Sequence, residues 1–287
     1  MTTRAAAAAL ADAGVCPSKG RGQNFLVQAQ VAERIIDAAA LGTNSAVVEI
    51  GPGLGILSER IAARPIRRLI LVELDRRLAA TLQTRFAGDD HVSVVAEDFL
   101  TCAFPQLAGA PPITVVGNLP FNAAAAILHK LCDQRGLIER MVLMFQREVA
   151  ERIRARPATT AYAALSAYSA LYWKIAGHFR VAAGSFHPKP RVEAEVLVFE
   201  PVARTFADDE EDIVRETIRS AFCARRKTLR NALVHGLDAS AGQVEALLAA
   251  AAIAPSARAE TLATGDFIRL ARAIAKIKAS PRLGADA

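Results

Sequence analysis

The residues best suited to chemistry sit in Gly117-Asn118-Leu119-Pro120-Phe121, which follows the apolar run Ile113–Gly117. An asparagine side-chain oxygen and a neighbouring backbone carbonyl, here taken as that of Leu119, can both accept hydrogen bonds from an exocyclic amine such as that of adenine. The lone pair of such an amine is delocalised into its ring, which makes it a poor nucleophile. Two acceptors hold the nitrogen closer to tetrahedral and aim its lone pair at an electrophile. Pro120 stiffens the loop and removes a competing donor. Phe121 offers a stacking face for a base held out of its helix, worth about 1–3 kcal/mol. The loop carries no strong base, so the electrophile must arrive already activated and positioning must supply most of the rate. Taken alone, the segment also reads as an ordinary Asn-x-Pro turn.

A second set of residues gives the electrophile a place. The run Ala46–Ile50 leads directly into Gly51-Pro52-Gly53-Leu54-Gly55, and a helical pattern follows. Glycines there let the backbone turn tightly and approach a ligand without Cβ clashes. Glu73 ends the next apolar run about 20 residues on, where a carboxylate can accept from both ribose hydroxyls of a nucleoside cofactor. Dinucleotides and S-adenosylmethionine share this geometry. Asp98, after the third run, is the anchor that favours S-adenosylmethionine, as an acceptor for the adenine amine of the cofactor.

These loops need strands and helices to hold them. Ala46–Ile50, Leu69–Leu74, Val92–Ala96, Ile113–Gly117 and Met141–Phe145 are continuous apolar runs. Helical stretches alternate with them at Ile56–Arg64, Arg76–Phe86, Ala123–Cys132 and Glu148–Arg156. That rhythm predicts an α/β fold, a Rossmann-like doubly wound parallel sheet covered on both faces. Trp173–Ala182 and Glu195–Phe199 read as further strands, antiparallel at the sheet edge. After Pro201 the pattern is helical, with acids at Asp208–Asp212 where they complement a helix dipole. The expected division is a cofactor-binding domain over 1–203 and a smaller all-helical domain over 204–287.

The sequence has 287 residues and a formal net charge of +6, a balance compatible with a polyanionic partner. No apolar stretch approaches the ~20 uncharged residues of a membrane span, so a soluble, cytoplasmic protein is expected. Cys16, Cys102, Cys132 and Cys223 are scattered with no C-x-x-C pair. That argues against a metal site or a disulfide framework and for reduced core thiols. The alanine-rich start, Ala5–Leu10, is too short and weakly apolar for a signal peptide and reads as a tail or helix.

At this point the chain resembles the small-subunit ribosomal RNA adenine N6,N6-dimethyltransferases (the KsgA/RsmA group and its eukaryotic relatives) over nearly its whole length. The motifs that carry the resemblance are Gly22–Leu26, Val48–Gly55, Glu73, Glu97-Asp98 and Asn118–Phe121. Gln146–Ala150, Phe186–Val192 and Phe222–Leu229 with Asn231 are also family-like. The resemblance implies cofactor-binding roles for Gln23, Asn24, Leu26, Gly51, Gly53, Gly55, Glu73, Leu74, Asp98, Phe99 and Asn118. It implies a catalytic loop of Asn118, Leu119, Pro120 and Phe121, with Phe186 as a second wall of the base pocket opposite Phe121. The implied activity is S-adenosylmethionine-dependent dimethylation of two adjacent adenosines in a hairpin near the 3′ end of small-subunit ribosomal RNA, with a role in small-subunit biogenesis and no metal. Ala194, Ala163 and Arg21 depart from the family pattern, and none removes a group the chemistry needs.

Arg225, Arg226, Lys227 and Arg230 cluster in what reads as one helical stretch, with Arg226 and Arg230 on one face. Such a cluster can grip RNA phosphates without reading bases. Lys276 and Lys278 read as an ordinary charged helix end. No heptad pattern appears, and a monomer is expected. Three other functions remain in view. One is a large-subunit ribosomal RNA methyltransferase giving macrolide resistance. Another is an RNA-binding assembly factor, against which intact Glu73, Asp98 and Asn118 argue. The third, a nicotinamide-dependent oxidoreductase, leaves Asn118–Phe121 unexplained.

Overall fold

Runs of Val, Ile and Leu with no polar alternation cannot leave one face in water, and the central ones, Ala46–Ile50 and Ile113–Asn118, become strands buried on both sides, whereas Val92–Val95 at the edge is half-buried. The computed structural model describes residues 1–17, 23–108, 111–224 and 226–279. In chain order the first elements are α1 (Thr3–Asp12), β1 (Phe25–Leu26), α2 (Ala29–Ala39), β2 (Ala46–Ile50), α3 (Ile56–Ala62), β3 (Arg68–Val72), α4 (Arg76–Arg85) and β4 (Val92–Val95). Next come α5 (Phe104–Ala108), β5 (Ile113–Asn118), α6 (Ala124–Asp133), β6 (Ile138–Gln146), α7 (Arg147–Ile153), α8 (Ala164–Ala170), β7 (Trp173–Val181), β8 (Phe186–His187) and β9 (Ala194–Pro201). The last are α9 (Glu211–Phe222), α10 (Leu229–Gly236), α11 (Ala241–Ala250) and α12 (Thr264–Ala279).

The chain falls into two units, one of 1–150 with 173–201 and one of 151–172 with 202–287. The expected cut between 203 and 204 therefore leaves 151–172 on the wrong side. That segment is bonded into the helical unit: the Tyr162 hydroxyl donates to the Leu262 carbonyl at 2.9 Å, Ala158 N–H to the Glu260 carbonyl at 2.7 Å and the Tyr172 hydroxyl to Glu211 at 3.0 Å.

The first unit is the expected Rossmann-like α/β sheet, with seven strands in the order β4-β3-β2-β5-β6-β9-β7. The pairs from β4 to β6 are parallel, and β9 runs antiparallel to both β6 and β7. β7 forms the antiparallel edge. Its side chains alternate between covered and exposed, and Lys174, His178 and Arg180 face water, which discourages pairing with another chain. The amphipathic α2 buries Ala32, Ile35, Ile36 and Ala39 in a core that includes Val47, Leu69, Leu71, Val116, Val142 and Val196.

A separate two-stranded ladder pairs β1 with β8, Phe25 opposite His187 and Leu26 opposite Phe186. The alanine-rich start is the helix α1, capped by the Thr2 hydroxyl. It packs through Ala6 and Leu10 into a cluster with Val15, Phe25, Val27, Leu54 and Leu78.

In the second unit, α9 carries an apolar face of Val214, Ile218 and Ala221. Phe222 stacks near Tyr162 and Phe267, with centroids 6.1 and 5.9 Å away. The cysteines are all free. Cys102 and Cys132 are buried, but Cys16 and Cys223 are exposed, so only two of the four are core thiols. Among the described residues, no helix is long and apolar enough to cross a membrane.

Candidate active site

Strand β2 lies between β3 and β5, so the connections from its two neighbours diverge and open a crevice beyond the carboxyl ends of the strands. The register places Ile50 opposite Val72 on one side and Gly117 on the other. The glycine loop, Glu73 and Asn118 are thereby brought to one end of the sheet.

Gly51, Gly53 and Gly55 all take positive φ, at 66°, 56° and 79°. At Gly53 a Cβ would lie 2.8 Å from the Phe25 ring, so the loop and β1 touch without a side chain between them. Gly55 does different work from that expected. It does not line the cavity. It begins α3, where a Cβ would lie 2.8 Å from Arg85 and 3.0 Å from Leu82 of α4, so it permits helix packing behind the loop.

The crevice is a cavity of about 360 Å³, lined by Gln23, Asn24, Leu26, Gly51, Gly53, Glu73, Leu74, Asp98, Phe99 and Asn118 through Phe121. Those are the expected cavity residues apart from Gly55 and Phe186. The Phe186 ring is 2% exposed and packs in the sheet core with Leu26, Val181 and Ala194. It does not line this cavity, although its ladder partner Leu26 does.

Glu73 is buried, and both its oxygens are occupied. Oε2 accepts the Gly53 N–H and Oε1 the Asp75 N–H, each at 2.9 Å. The carboxylate thus stitches the glycine loop to the end of β3, and burial raises its pKa against the lowering effect of those bonds. Asp98 is half-buried, and its Oδ1 accepts the Leu100 N–H at 2.8 Å. Leu74 and Leu100 are large apolar side chains left exposed at this cavity.

Asn118 has one end fixed: its Nδ2 donates to the Asn24 carbonyl at 2.9 Å. Leu119 N–H donates to the Met144 carbonyl at 3.2 Å, which anchors the loop to β6, and the Leu119 side chain is buried. Phe121 lies half-buried at the cavity.

Sequence reasoning missed Glu49. It lines the cavity and is 1% exposed, and its Oε2 accepts the Ser58 hydroxyl at 2.7 Å. Burial, reinforced by the nearby Glu73, pushes its pKa up to about 8 against the Ser58 bond. The signal was present in the sequence, since an acid inside the apolar strand Ala46-Val47-Val48-Glu49-Ile50 needs a reason to be there.

Residues 18–276 match the family described as ribosomal RNA adenine dimethylase. The chain belongs to the ribosomal RNA adenine dimethylase family. A family relative in Syntrophotalea carbinolica, named ribosomal RNA small subunit methyltransferase A, is 39% identical over 259 residues, covering 90% of this chain and 97% of that protein. Its namesake in Geobacter metallireducens is 38% identical over 266 residues, covering 91% and 96%. The fold is also that of a dimethyladenosine transferase from Plasmodium falciparum, with a TM-score of 0.75 at 23% identity over 88% of this chain and 98% of that one. The 23S rRNA methyltransferase ErmE shares it, with a TM-score of 0.64 at 23% identity over 88% and 100%.

In this dimethylase the basic cluster of the second unit is not one helix. The Thr228 backbone is extended and its hydroxyl caps α10, so α9 ends at Phe222 and α10 starts at Leu229. Arg226 and Lys227 lie exposed in the link, and the i,i+4 face expected for Arg226 and Arg230 does not form. Arg230 is ion-paired to Glu245 at 2.6 Å. Arg225, Gly20, Arg21 and Gly22 lie outside the described residues.

Proposed function

We propose that this chain moves methyl groups from S-adenosylmethionine to the N6 amines of two adjacent adenosines, in a hairpin near the 3′ end of small-subunit ribosomal RNA. The observation that carries this reading is the orientation of Asn118. Its donor end is committed to the Asn24 carbonyl, so the end it presents to a ligand is the acceptor Oδ1. An acceptor is what an adenine amine requires.

The cavity residues fit the methyl donor. The Gly51–Gly53 backbone and the Gln23–Asn24 segment would hold its amino-acid end. Each Glu73 oxygen keeps a lone pair beyond its backbone bond for a ribose hydroxyl. The second oxygen of Asp98 would accept the cofactor's adenine amine, between the apolar faces of Leu74, Phe99 and Leu100. Bound there, S-adenosylmethionine supplies a methyl group made electrophilic by its sulfonium.

Asn118 Oδ1 and the Leu119 carbonyl accept the two N–H bonds of the target amine and hold its lone pair toward that methyl, while Phe121 stacks on the base. With the donor bound, the amine would take its methyl group, the sulfur keeping the electron pair of the broken S–C bond and the amine proton leaving to water. The enzyme acts as a monomer, in the cytoplasm, on assembling small subunits. Arg226 and Lys227 contribute phosphate contacts.

The test is methyl transfer from labelled S-adenosylmethionine to small ribosomal subunits that lack the modification, with large subunits as control and the product base identified by mass. Dimethyladenosine on the small subunit alone is expected. Label on the large subunit would reassign the substrate. Cofactor binding without label on either would favour an assembly factor.

A further inference from the structure

Lys130 lies on α6, the helix that starts three residues after the Asn118–Phe121 loop. Its ammonium donates to three backbone carbonyls: Phe99 at 2.7 Å, Leu100 at 3.1 Å and Cys102 at 2.5 Å. An ammonium has three donors, so this set engages all of them. Every acceptor belongs to one short loop, the one that presents Asp98, Phe99 and Leu100 to the cavity. The ammonium also lies 5.2 Å from the centroid of the Phe99 ring.

The loop is wound to suit that arrangement. The Asp98 carbonyl takes the N–H groups of Thr101 and Cys102, at 3.0 and 2.9 Å. That tight turn leaves the next carbonyls for the lysine. One helical turn before Lys130, Ile127 lines the same cavity.

We propose that Lys130 is a positioning residue, a cationic strut that fixes the 98–102 loop so that Asp98 and Phe99 meet the adenine of the cofactor, and ties that loop to the helix leaving the catalytic loop. A neutral side chain of similar length would leave three carbonyls without their charge-assisted partner. An arginine would keep the charge, but its planar fork cannot converge on three carbonyls around a single point. The strut therefore depends on the shape of the ammonium as well as its charge.

This inference rests on the cavity being the S-adenosylmethionine site, and the experiment separates the two. Titration calorimetry of wild type, Lys130→Met and Lys130→Arg would use S-adenosylhomocysteine and its inosine analogue, which lacks the 6-amino group facing Asp98. Wild type should prefer the adenine compound by roughly tenfold or more, the value of one good hydrogen bond to a charged acceptor. In both variants adenine affinity should fall about tenfold and the preference should shrink to about twofold, while kcat at saturating cofactor stays within a few-fold.

A merely structural lysine would lower the unfolding temperature and leave the preference intact, and that result overturns the strut. So does a Lys130→Met protein with unchanged affinity. Should Lys130→Met not fold, Lys130→Arg decides, because wild-type preference in that variant overturns the proposal equally. A wild type that binds neither compound overturns the cofactor reading, and the strut with it.

Discussion

The cavity of the sheet unit and the exposed arginines of the helical unit are held by different means. At the cavity of the sheet unit, and just behind it, three side chains are fixed by backbone from a distant loop: Glu73 by Gly53, Asn118 by Asn24 and Lys130 by the 99–102 carbonyls. In the helical unit the arginines are fixed by acids: Arg230 by Glu245, Arg269 by Asp266 and Arg272 by Glu210. Backbone partners in a buried site are permanent and orient a group before any ligand arrives. Exposed ion pairs contribute about 0–1 kcal/mol and can exchange a carboxylate for a phosphate. The first arrangement suits geometry-dependent chemistry, and the second suits adhesion to a polyanion.

Substitutions in the two regions should therefore differ in size and in kind. The largest effect is expected at Asn118. Asn118→Ala should lower kcat by roughly a thousandfold, as for loss of a transition-state hydrogen bond, with cofactor affinity within a few-fold. Single-turnover methyl transfer beside calorimetry would show this, and an equal loss in both would mean that Asn118 only builds the cavity.

Next is Glu73. In Glu73→Gln an amide N–H must face either the Gly53 or the Asp75 N–H, so a buried donor goes unsatisfied. Cofactor affinity should fall about a hundredfold and stability by about 1–3 kcal/mol, read by calorimetry and by urea melts. Unchanged affinity would place the ribose elsewhere.

Glu49 sharpens the contrast through pH. Its pKa is pushed from 4.5 up to about 8 in the folded chain. Between those values the native state keeps a proton that the unfolded chain releases, so this group's contribution makes the protein less stable as pH rises across that window. Glu49→Gln removes the dependence. Above pH 8 the variant should be more stable than wild type by up to about 5 kcal/mol, with a flatter profile between pH 4.5 and 8. Parallel urea-midpoint profiles for the two proteins would contradict the assignment.

The smallest effects belong to the helical unit. Arg226→Ala should weaken RNA binding only a few-fold, lowering the slope of log affinity against log salt by about 1. Arg230→Ala should do less, since Glu245 already competes for that cation. A tenfold loss at Arg230 in filter binding would mean that the ion pair opens on RNA and that the cluster is a built site.

The sheet was legible because a strand buried on both faces must be largely apolar, and β2, β3 and β5 read that way in the bare sequence, Glu49 being the marked exception. The glycine loop, Glu73, Asp98 and Asn118 were legible because each sits at the end of such a strand. Phe186 was misplaced for a reason sequence does not carry. Its ring is buried in a core shared with Leu26, a ladder partner 160 positions away, and with Val181 and Ala194. The helix expected through Arg225–Arg230 failed because Thr228 caps a new helix, a signal outweighed by the surrounding charges. The affiliation of 151–172 had no periodic signature at all, resting instead on hydroxyl and backbone bonds to residues such as Leu262 and Glu211.

The β1–β8 ladder, finally, sets an order of events during synthesis. The wall of the cavity formed by Asn24–Leu26 is made well before its pairing partner, Phe186-His187. Val27 N–H donates to the Ser185 carbonyl, and the Ser185 hydroxyl bonds Gln28 across a separation of 157 residues. A nascent chain that has not yet delivered Ser185–His187 cannot fasten that wall. The sheet can form early, but the ability to retain a small ligand should switch on late and abruptly, when the ladder closes.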